Sequence, residues 1–227
     1  MSIWSRITAA LAALAAGEPF SAVLDRMRLA PERSVAFTIG VIALGAKLAK
    51  ADGQVTRGEV AAFRRVFTIP PEEEGNAARV FNLARQDVAG YDAYARKIAA
   101  MFPQGDPVLR DLMEGLFYVA MADGSFHPKE EAFLRAVAQI FGLSDTCFHA
   151  LMARFVPGVA PDPFALLEVP PDASLEDARR AYRRMVRESH PDALRARGVP
   201  DEAVRLAEAR LAALNTAWDE VQALKAA

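Results

Sequence analysis

Cysteine is almost missing from this 227-residue chain: Cys147 stands alone and no CxxC spacing occurs, which excludes an internal disulfide and points to a reducing compartment. An excess of either charge is missing too. Lysine and arginine number 27 against 29 aspartates and glutamates, a formal net charge of −2 with a pI near 6.0. The whole molecule therefore has no attraction for nucleic acid or an anionic membrane, and any basic patch must be local. No segment alternates apolar and polar residues as a strand would. The alanine and leucine stretch from Ile7 to Ala16 falls far short of the roughly 20 residues of a membrane span. Behind a single Arg6 it also makes a poor signal peptide. Ile3, Trp4, Ile7, Leu11 and Leu14 recur at helical spacing, so residues 1–30 are expected as a helical segment packed on the body of the protein, with a helix lying in a membrane surface as the alternative.

What is present is helical periodicity along almost the whole length. With 52% hydrophobic and 25% charged residues, the chain reads as all-α, with apolar material for two compact domains. Pro31, Pro70, Pro71, Pro103 and Pro107 punctuate the first two-thirds. The densest break is VPGVAPDP, residues 156–163, which reads as a linker between a domain at 31–155 and a second at 164–227.

The first domain holds an internal repeat. AKADGQVTRGEVAAFRRVF from Ala49 aligns with AMADGSFHPKEEAFLRAVA from Ala120, placing Asp52 over Asp123, Gly53 over Gly124 and Glu59 over Glu130. In each copy a helix is expected to close at Asp-Gly, and a second helix to open on Thr56 or His127 with the glutamate three residues later in capping-box position. Pro128 suits the first turn of the second copy. Asp52, Glu59, Asp123 and Glu130 are the carboxylates a divalent cation could use here. The neighbouring Gln54, Val55, Ser125 and Phe126 do not supply the alternating oxygens of a calcium loop, so turn and cap roles are preferred and no metal is expected. His127, Cys147 and His149 lack the spacing of a structural zinc site. The paired ADG segments resemble the signatures of the TerB-like domain over about residues 35 to 155. That resemblance implies a helical scaffold with an acidic surface, a site for a cation or a protein partner, and no activity of its own.

The second domain is simpler. Phe164, Leu166 and Leu167 form a short apolar turn, and Ser174 with Asp177 opens a longer helix. Ala178, Ala181, Tyr182, Met185 and Ser189 make one stripe of that helix, while Arg179, Arg180, Arg183, Arg184 and Arg187 occupy the rest. Pro191 pushes its predecessor out of the α region, so the helix should end near Ser189 with His190 in the loop. A last helix carries Ala207, Leu211, Leu214, Trp218 and Val221 as a matching seam, giving an antiparallel hairpin. By chemistry alone, His190-Pro191-Asp192 suits a catalytic dyad, a metal site or a docking surface, but no nucleophile or second acid lies near it in sequence.

The helix with Ala181-Tyr182-Arg183, the tripeptide His190-Pro191-Asp192, and the later Leu214-Asn215 and Ala217-Trp218 together resemble the J-domain of Hsp40 co-chaperones over residues 162–224. A TerB-like domain followed by that module is similar to the DjlA-type J-proteins. The resemblance implies that the chain stimulates ATP hydrolysis by an Hsp70 chaperone such as DnaK. By position, Arg179, Tyr182 and Arg183, with Arg184 and Arg187 on the same helix, would dock on an acidic Hsp70 surface. His190, Pro191 and Asp192 would carry the signal. Glu168 departs from the family's usual glycine, and Ala193 and Leu194 from its usual basic residue and asparagine. The membrane helix of the DjlA type is not matched by residues 1–30. Nor is there a glycine- and phenylalanine-rich stretch or a CxxCxGxG repeat.

These readings add up to an expected cytoplasmic co-chaperone, with peripheral contact at the cytoplasmic face of the membrane as a variant. It is expected to be no enzyme and to carry no cofactor, since ATP belongs to the Hsp70. Its TerB-like domain would choose a client, an envelope-related partner or a location. The alternative is a stress-related sensor or scaffold whose TerB-like domain binds a cation or protein and whose J-domain is uncoupled. Nucleic-acid binding is not expected, because aromatics interleaved with the arginines are missing beyond Tyr182.

Overall fold

The stretch Val35–Ala49 is apolar nearly all round and folds as α1, and from Ile39 onward its side chains are buried. A helix without a polar face belongs in an interior. In the computed structural model, which describes residues 35–51, 57–66, 74–86, 88–190 and 201–226, α1 is the central element of the first unit. Around it lie α2 (Arg57–Val66), α3 (Glu74–Ala84), α4 (Tyr91–Ala99), α5 (Pro107–Ala120), a 3-10 turn (Met121–Asp123), α6 (Pro128–Ile140) and α7 (Asp145–Phe155). Lys47, the one charge buried in α1, donates from Nζ to the carbonyl of Ala89 at 2.7 Å. Gly45 lets α2 approach so closely that an added Cβ would sit 2.5 Å from Phe63 Cδ2.

The expected repeat is visible in this packing, with α1 and α2 matched by α5 and α6, and α2 packed on α5. In the second copy the 3-10 turn closes at Gly124, whose φ of 84° is open to glycine without a side-chain clash. His127 then caps α6 with Pro128 at its first position, and Glu130 Oε2 accepts the His127 N–H at 2.8 Å. The corresponding residues Asp52, Gly53 and Thr56, and the N-terminal segment 1–30, lie outside the described residues. Phe117 anchors the core of the unit between the rings of Phe148, Phe155 and Phe126.

The second unit is built from α8 (Pro163–Leu166), α9 (Leu175–Glu188) and α10 (Asp201–Ala226). Pro163, expected in the linker, is instead the first residue of α8, where its missing N–H goes unused, and Asp162 caps the turn by accepting the Phe164 N–H. The connection thus runs 156–162. As expected, α9 and α10 form a hairpin with α8 packed across it, around a separate small core of Leu166, Leu167, Ala178, Ala181, Met185, Leu214 and Val221. The two units are not independent: α8 rests on α7, and α10 runs along α5 and α2. Among the described residues there is no strand, and no helix is long and apolar enough to cross a membrane.

Candidate functional site

The arginine helix begins where its sequence says it should. Ser174 Oγ accepts the Asp177 N–H at 3.1 Å and donates to Asp177 Oδ2 at 2.6 Å. That hydroxyl, with Arg180 adding to it, holds the Asp177 carboxyl below its ordinary value. The buried stripe is Ala178, Ala181, Met185 and Ser189, leaving Arg179, Arg180, Arg183, Arg184 and Arg187 exposed on the opposite arc. Arg180 is engaged within its own helix by Glu176 at 3.2 Å and by Asp177. Among the described residues, no carboxylate pairs with Arg179, Arg183, Arg184 or Arg187. Four uncompensated guanidinium groups on one face form a local positive field on a molecule of slight net negative charge.

Tyr182 stands at the edge of this face. Its ring stacks on Trp218 of α10, with centroids 5.3 Å apart and planes 11° from parallel, and its hydroxyl donates to Asn215 Oδ1 at 2.9 Å. The residue expected to dock a partner therefore also ties the hairpin together. The helix stops on Ser189, and His190 is the first exposed residue beyond it. Pro191 and Asp192 lie outside the described residues, as does the loop up to 200.

Sequence periodicity missed the polar cluster behind the end of α9. Arg210 of α10 is only 4% exposed. Its Nε donates to Ser189 Oγ at 2.8 Å, and its Nη1 to Asp111 Oδ1 at 2.7 Å and Glu114 Oε1 at 3.0 Å, both on α5. Glu114, 2% exposed, also takes Arg154 Nη1 from α7, and Arg154 Nη2 reaches the Leu206 carbonyl at 3.3 Å. Two cations and two anions thus balance across the joint between the units. Burial works against the Arg210 charge, but Glu114 and Asp111 outweigh it and hold the guanidinium above its ordinary value. Burial also raises Asp111, with Arg210 pulling the other way.

A second contact crosses the same joint. Arg110 of α5 pairs with Glu168 at 3.1 Å and approaches Glu188 at 3.8 Å. Glu168 has φ 54°, the left-handed conformation in which glycine is the usual residue, and it closes α8 while Val169 N–H reaches back to the Phe164 carbonyl. A glutamate there costs on the order of 1–2 kcal/mol of backbone strain. In that conformation the side chain meets Arg110, a contact a glycine would lack.

The metal candidates are not assembled. Asp123 Oδ1 accepts the Ser125 N–H in its own turn, Glu130 caps α6, Glu59 is buried on α2, and Asp52 lies outside the described residues. Cys147 and His149, two positions apart on α7, leave the helix on opposite sides, the first buried and the second exposed, so they cannot ligate one ion. Among the described residues no three histidine, cysteine, aspartate or glutamate side chains form a metal-sized group.

Residues 38–153 match the family model for the tellurite resistance protein TerB. Over a greater length the chain is similar to proteins named co-chaperone protein DjlA. It is 26% identical over 217 residues to that of Photobacterium profundum, covering 84% of this chain and 78% of the relative. With the Shewanella oneidensis protein it shares 24% over 225 residues, 91% of this chain and 83% of the relative. With the Escherichia coli K12 protein it shares 23% over 220 residues, 86% and 81%. Each of these spans is longer than the chain ahead of Pro163, so the similarity runs on into the α8 to α10 hairpin. No solved structure matches the chain.

Proposed function

The chain belongs to the TerB family through residues 38–153, and we propose that it is a DjlA-type co-chaperone whose α8 to α10 hairpin acts as a J-domain on a DnaK-type Hsp70. One observation carries this reading: a helix with an exposed, uncompensated arginine face runs directly into His190, in a chain similar over 84% of its length to a protein named co-chaperone protein DjlA.

In this mechanism Arg179, Arg183, Arg184 and Arg187 steer the hairpin onto an acidic surface of the Hsp70, with Tyr182 at the edge of the contact. His190, Pro191 and Asp192 then reach the partner and favour its ATP-hydrolysing state. The chain performs no chemistry itself and holds no cofactor, because the ATP and the catalytic groups belong to the Hsp70. The TerB unit selects the client or the place of action. Its single buried thiol suits the reducing cytoplasm.

Single-turnover ATP hydrolysis by a DnaK-type Hsp70 tests the proposal. Adding the full-length protein should raise the rate at least about tenfold, the size of effect that about 1.4 kcal/mol of differential interaction produces. His190→Gln should abolish the increase, with the far-UV circular dichroism of the folded protein retained. No increase with the intact wild type would end this reading.

A further inference from the structure

The hairpin's docking face is free of the TerB unit, but the root of its tripeptide is not. Ser189, the residue ahead of His190, is fully buried, and its hydroxyl rests on Arg210. A guanidinium is a rigid planar fork, so fixing its Nη1 against Asp111 and Glu114 also fixes where its Nε presents a proton to Ser189. The position of the α9 end is thereby referred to α5 of the TerB unit. A separate contact crosses the same joint, since Arg110, next to Asp111, pairs with Glu168 in the turn ahead of α9 and lies 3.8 Å from Glu188, the last helical residue of α9. Glu168 makes this contact from its left-handed conformation, φ 54°.

Building on the Hsp70 reading above, we propose that Arg210 is a positioning residue for His190-Pro191-Asp192, with Asp111 and Glu114 of the TerB unit as its fixed points. The TerB unit is then more than an adaptor for clients: it fixes the end of α9 from which His190 follows. Docking and stimulation are consequently separable. The arginines that dock point away from the joint, whereas the residue that roots the tripeptide points into it.

The separation can be measured. Single-turnover ATP hydrolysis by a DnaK-type Hsp70 is followed across a concentration series of wild type, Ser189→Ala and Asp111→Ala, with Arg96→Ala, an exposed position on α4, as control. Amide hydrogen exchange in the peptide carrying Ser189 and His190 is followed in the same proteins without the Hsp70. Ser189→Ala removes one hydroxyl and leaves every charge in place, so the outcome does not depend on a variant that fails to fold. Both joint variants should lower the maximal stimulated rate about fivefold or more, while the half-maximal concentration stays within about twofold of wild type. Exchange at the α9 end should be faster in both, and Arg96→Ala should match wild type throughout.

An unchanged maximal rate, or a change confined to the half-maximal concentration, overturns the positioning role. Unchanged exchange overturns the clamp. If the wild type stimulates nothing, the Hsp70 reading itself has failed, and the exchange comparison still decides whether the clamp exists.

Discussion

Cys147 lies 4% exposed on α7, beside Glu168 and Arg110 at the joint between the units. Burial first, and then the Glu168 carboxylate, push its thiol up to about 12. Unfolded, the same thiol ionises near about 8.5. A group whose folded value is raised gives stability that is present below its unfolded value and lost as pH climbs toward the folded one, so this residue favours the native state until about pH 8.5. The native protein at pH 8 should react with a thiol reagent such as dithionitrobenzoate only as fast as it opens, and completely in denaturant. Prompt stoichiometric release of the coloured product from the native protein would contradict the burial. The sequence already left this lone cysteine without a disulfide partner or the spacing of a zinc ligand. It could not show the carboxylate beside it, because Glu168 arrives from the other unit.

At the scale of elements, much of the architecture was readable because it depends on local spacing. The start of α9 at Ser174, its end at Ser189 ahead of Pro191, and the buried stripe between them all follow from caps and helical period. The polar cluster was not readable in the same way. Arg210 stands three residues after Ala207 and four before Leu214, within the seam of α10, and a count of apolar positions passes over a charge there as a gap. Leu211 kept the expected seam unbroken, whereas the structure buries Arg210 beside it, and a buried charge implies a partner. Glu114, on the otherwise apolar face of α5, was its counterpart. Close approaches between helices are equally hidden until the helices are packed. Gly45→Ala makes the point testable, because helix propensity favours alanine by about 1 kcal/mol. The added methyl would meet the Phe63 ring, which is 2% exposed and backed by Phe81 at 5.9 Å between centroids. Overpacking of a closed site costs about 1–3 kcal/mol, so the clash should win and the urea midpoint should fall. A variant more stable than wild type would show that α1 and α2 can move apart.

Across the whole molecule, two kinds of positive charge have opposite settings. The arginines of α9 face water and are available to a partner, whereas Arg210 is buried with Glu114, and Arg154 and Asp111 stand half-buried beside them, where the units meet. A buried set of charges contributes little net stability compared with apolar packing, but removing one member leaves its partners buried without compensation, at about 3–5 kcal/mol. The joint should therefore make the two units unfold together. With Trp4→Phe as background, Trp218 fluorescence reports on the hairpin while far-UV circular dichroism reports on all helices. In that background the two urea transitions should coincide. Adding Arg210→Ala should move the Trp218 transition to lower urea by the larger amount and separate it from the helical one, because the small hairpin core loses its hold on α5 while the Phe117 core stays intact. Coincident transitions at an unchanged midpoint in Arg210→Ala would mean that the apolar contacts of α8 and α10 hold the units together unaided.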